Sequence, residues 1–67
     1  MIGFSLIEKS RVSYLVFNKG EFFGEIELVK DDWVFLPRPG LAGDRYAYGC
    51  HPVDALARWC GRNMKGE

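Results

Sequence analysis

The stretch that decides the fold is "VSYLVFNKGEFFGEIELV", residues 12 to 29. Two runs rich in β-branched and aromatic residues flank Asn18-Lys19-Gly20. In the second run Phe22, Gly24, Ile26 and Leu28 fall on one side of an extended chain, and Glu21, Glu25 and Glu27 on the other. That is the period of two expected of a half-buried strand. The first run, residues 12 to 18, alternates less cleanly but has the composition of a strand. Gly20 stands where a three-residue hairpin loop needs a left-handed residue. Such a loop sets Phe17 opposite Glu21, Val16 opposite Phe22, Tyr14 opposite Gly24 and Val12 opposite Ile26. Val12, Tyr14, Val16, Phe22, Ile26 and Leu28 then share one apolar face, and the agreement of the two strands supports the pairing.

Two more runs extend this hairpin. "IGFSLIE", residues 2 to 8, puts Ile2, Phe4 and Leu6 on one side. The turn after it, "EKSR", has no glycine and leaves its register open. "WVFLP", residues 33 to 37, is closed by Pro37, and a two-residue turn within "VKDDW" adds Trp33 and Phe35 to the shared face. Residues 37 to 50, "PRPGLAGDRYAYGC", read as a loop, with a tight turn at Arg38-Pro39-Gly40. Within it "RYAY" is a candidate brief edge strand with Tyr46 and Tyr48 on one side.

A helix follows over about 52 to 64. Pro52 suits the first helical position, where its missing N–H costs nothing. Asp54 favours the positive end of the helix dipole. Val53, Leu56, Ala57, Cys60 and Met64 recur at helical spacing as an apolar stripe, with Trp59 at its flank. Asp54, Arg58 and Arg62 fall on the opposite side. The expected architecture is one small α+β domain: a three- to four-stranded antiparallel sheet with one C-terminal helix packed on one face.

With 67 residues, the chain allows a single domain that buries only ~60% of its unfolded surface. Nine basic and nine acidic residues cancel, so overall charge points to neither a nucleic-acid binder nor a polyanion mimic. No leader pattern and no membrane-length apolar run is present, and the chain reads as cytoplasmic.

The cluster "YGCHPVDALARWC" holds both cysteines and the only histidine. Helical rise separates Cys50 from Cys60 by roughly 15 Å, too far for a disulfide or a shared metal. Adjacent Cys50 and His51 point apart on an extended chain, and no second histidine can serve as a base. No phosphate-binding glycine loop occurs. The reading is a non-enzyme with no metal and no cofactor.

One helix covers one sheet face. Leu15, Phe17 and Phe23, joined by Val34 and Leu36, are left on the other, bordered by Glu21, Glu25 and Glu27. An apolar patch rimmed by charge marks an interaction surface. Tyr46 and Tyr48 from the loop join this candidate protein interface. Its occupant is another protein, or a second copy in a homodimer. The alternative partner is nucleic acid, held by Arg38, Arg45, Arg58 and Arg62 with the loop aromatics stacking on bases. The acidic strand face opposes that alternative.

The element order, with Gly24, Ile26, Trp33, Phe35 and Pro37 in a G-x-I…W-x-F-x-P pattern before "HPVDALARW", resembles small proteins encoded by phages and mobile elements. These include anti-CRISPR proteins and other inhibitors of host factors. The resemblance spans residues 12 to 60 and supplies no functional residues. It implies a non-enzymatic protein that binds and inhibits a host complex, such as a bacterial defence system.

Overall fold

The computed structural model describes residues 3–41 and 46–63. The elements are β1 (Phe4–Ser10), β2 (Ser13–Asn18), β3 (Glu21–Val29), β4 (Asp32–Pro37), β5 (Ala47–Gly49) and α1 (Pro52–Asn63). The strands pair in chain order, β1-β2-β3-β4-β5, as one antiparallel meander. The α+β class is as read, but the sheet has five strands rather than three or four. The fifth lies inside the segment read as a loop. It is an edge strand of three residues at the place of the candidate "RYAY", but it begins at Ala47, after Tyr46, and is held by pairing Ala47 with Phe35 and Tyr48 with Val34.

The central hairpin turns differently from the expectation. Asn18 pairs with Glu21, so the loop has two residues, Lys19 at φ 52° and Gly20 at φ 86°. Positive φ at both positions is the type I′ geometry, whose twist matches that of the flanking strands. Phe17 consequently faces Phe22, yet Val16 faces Gly24, which leaves Phe23 as the extra residue of a β-bulge. Beyond the bulge Tyr14 faces Ile26 rather than the expected Gly24, so the pairing is displaced by two residues; Val16 and Ile26 still point inward, while Val12 and Leu28 are exposed. The bulge turns Phe23 into the core, 7% exposed, and leaves Phe22 outside at 41%. Phe22 as a core residue and Phe23 as an interface residue are therefore both corrected.

The other turns follow from local chemistry. Lys30-Asp31 closes β3 to β4 and brings Leu28 to Trp33 and Ile26 to Phe35, as the two-residue turn requires. Between β1 and β2, hydroxyls do the work of the missing glycine. The Val12 N–H donates to Ser10 Oγ (3.2 Å), which lies 2.9 Å from Ser13 Oγ. A register irregularity between Glu8 and Ser10 leaves Lys9 unpaired in the ladder. The inward placement of Phe4 and Leu6 agrees with the sequence, while Ile2 lies outside the described residues.

Helix α1 lies over β5, β4 and β3. Its buried residues are Ala55, Leu56 and Trp59, with Cys60 packed at the margin. The stripe is thus rotated from the Val53-Leu56-Ala57-Cys60 reading; Val53 and Ala57 are exposed, and Met64 lies outside the described residues. The bulk of Trp59 sets the rotation. Its ring meets Phe35 at 5.3 Å and Phe23 at 5.5 Å, both edge to face. Phe23 also stacks on Phe35 at 5.7 Å and takes the Phe4 edge at 5.0 Å. Burying large aromatic rings in such pairs is the main gain available to so small a core. The helix entry comes close to β5 because position 49 has no side chain: a Cβ there would lie 2.6 Å from the Ala55 nitrogen.

Candidate functional site: the uncovered sheet face

Because α1 occupies one face, the opposite face is built by register alone. One row runs Ile7, Leu15, Glu25, Leu36 across β1 to β4. The next runs Ser13, Glu27, Val34, Tyr48 across β2 to β5. A third holds Ser5, Phe17 and Phe22 near the hairpin loop. Ile7 and Tyr48 are each about half exposed, at 53% and 51%. Leu15, Phe17 and Leu36 are half-buried by their neighbours. Phe17 and Phe22 meet edge to face at 5.9 Å. Val34, although on this face, is buried between its cross-strand neighbours Glu27 and Tyr48.

The bulge residue Lys9 reaches across β2 to this face. Its Nζ donates to Glu25 Oε2 at 2.9 Å, an ion pair open to solvent. That hydrogen bond and the charge of Glu25, helped by Glu27, hold the ammonium pKa above the ordinary lysine value, against slight desolvation. Glu27 closes no ion pair among the described residues.

Of the residues expected at a protein interface, Leu15, Phe17, Glu25, Glu27 and Tyr48 come together here. Glu21 is exposed at the hairpin turn, outside the rows, and Tyr46 is exposed just before β5. Phe23 belongs to the core. Sequence reasoning missed Ile7, Lys9 and Phe22. Ile7 follows from the inward placement of Phe4 and Leu6, but the other two depend on bulges that alternation does not reveal.

Arg58 and Arg62 are exposed on α1, while Tyr48 lies on the far side of the sheet. Arg38 is exposed just after β4, and Arg45 lies outside the described residues. Cys50 and Cys60 are both free thiols. Burial pushes the Cys60 thiol pKa upward, away from the reactive thiolate. Among the described residues no three metal-ligating side chains cluster, and no helix is long and apolar enough to cross a membrane. Compared with protein-family models, curated proteins and solved structures, the chain matches none.

Proposed function

We propose that this chain is a non-enzymatic protein-binding module whose interface is the sheet face opposite α1. The observation that carries the reading is the open face itself. Ile7, Phe22 and Tyr48 are exposed beside half-buried Leu15, Phe17 and Leu36, on a hydrogen-bonded sheet. A domain layer is completed when each apolar face meets another element, and this one meets none among the described residues. Apolar area of this kind, interrupted by charge, is the signature of a docking surface. An inhibitor that occupies a surface of a host complex is the narrower form implied by the phage-protein resemblance. It needs such a face and no catalytic group.

The test is affinity capture with mass spectrometry, using the wild type, Leu15→Asp, Phe17→Asp and an Arg58→Glu/Arg62→Glu double variant. Circular dichroism checks that each variant folds. The expected outcome is a specific protein kept by the wild type and the arginine variant and lost by both face variants. Loss only on reversing the arginines would move the interface to α1 and favour the nucleic-acid reading.

A further inference from the structure

The charges on the open face narrow its occupant. Glu25, Glu27 and Asp32 share this face by register, against one cation among the described residues, Lys9. The turns at one end add Arg11 and Lys30 against Asp31, beyond the ends of the apolar rows. The two glutamates lie on β3, the middle strand of the five. Any two-fold packing of this face on a second copy, centred on the sheet, brings β3 over β3. Four carboxylates would then be enclosed with two lysines, and like charges forced together without water cost more than the apolar contact returns. Anionic surfaces, nucleic acid or lipid, are repelled by the same residues.

Resting on the reading that this face is an interface, we propose that it receives a cationic amphipathic segment of another protein. Apolar side chains of that segment lie on Leu15, Phe17 and Leu36, and its lysines or arginines reach Glu25 and Glu27. The molecule already shows half of this pairing. Lys9 bridges β2 to place its ammonium on Glu25, so the face holds a cation there in the free state, while Glu27 closes no ion pair among the described residues. Lys9 is then an internal competitor for one of the partner's contacts.

The experiment uses the full chain and two designed helical peptides, one of leucine and lysine and one of leucine and glutamate. Binding is measured by titration calorimetry, and its location by amide chemical shifts. The expected result is that the lysine peptide binds, that added salt weakens it, and that shifts concentrate on Leu15, Glu25, Glu27 and Leu36 rather than on α1. Glu27→Gln weakens binding by roughly two- to fivefold, the range of one exposed ion pair. Lys9→Ala strengthens it by a similar factor because Glu25 is released, an effect that loss of structure would not produce. Equal binding of both peptides, no binding, or shifts confined to α1 overturns the proposal. So does a dimer in sedimentation that Leu15→Asp dissociates, but that outcome leaves the face an interface and changes only its occupant.

Discussion

Phe22 and Phe23 are chemically identical neighbours with opposite fates, and the one-residue bulge between the Phe17–Phe22 and Val16–Gly24 pairs decides which enters the core. Either parity satisfies the letters of "EFFG", so alternation cannot choose between them. The choice comes from the two-residue loop before them and from the aromatic cluster that Phe23 completes. Gly24 follows the bulge for a steric reason. A Cβ there would stand 2.5 Å from the Leu36 carbonyl oxygen and 2.8 Å from the Phe35 ring. The carbonyl belongs to the ladder and cannot swing aside as a flexible side chain would. Gly24→Ala should therefore cost about 1–3 kcal/mol through overpacking. In urea titration the midpoint should fall with an unchanged slope. An unaltered midpoint would show that the β4 backbone at Leu36 and the Phe35 ring can both give way.

At the scale of elements, the strands were legible wherever the alternation ran long. Glu25, Ile26, Glu27 and Leu28 announce β3, and the two-residue turn places Trp33 and Phe35 correctly. The helix was legible in extent through Pro52, but its inward face was not. Val53-Leu56-Cys60 and Ala55-Leu56-Trp59 both fit a 3.6-residue period, and the second is selected by the packing of Trp59 on Phe23 and Phe35 together with the close approach that Gly49 permits. For the interface, Leu15 and Phe17 keep a common parity because β2 itself carries no extra residue, whereas Phe22 and Lys9 were hidden by bulges. The hairpin loop carries a further prediction. Lys19 sits at φ 52°, a conformation that a long side chain adopts at a cost and that asparagine tolerates better. Lys19→Asn creates the Asn-Gly pair that type I′ loops favour and should raise stability by about 0.5–1 kcal/mol. Thermal unfolding would show it as a higher midpoint. A lower midpoint would mean that the packing of the Lys19 stem on Gly3 outweighs the backbone gain.

For the whole molecule, the decisive property is that one sheet carries two unlike faces. Val16 is fully buried under the aromatic cluster, while its chain neighbour Leu15 points to the open side. The same substitution at these adjacent positions should separate folding from binding. Val16→Asp places a carboxylate in the fully buried apolar cluster, at a cost of several kcal/mol. A domain of this size has about 3–10 kcal/mol in total, so the variant should be largely unfolded by circular dichroism. Leu15→Asp gives up only half-covered apolar area and leaves its charge in reach of water, so its loss should stay within about 1 kcal/mol. A folded Leu15→Asp protein that no longer captures its partner assigns Leu15 to recognition. If both variants unfold alike, Leu15 is part of a second core, and the face is closed by the chain itself rather than by a partner.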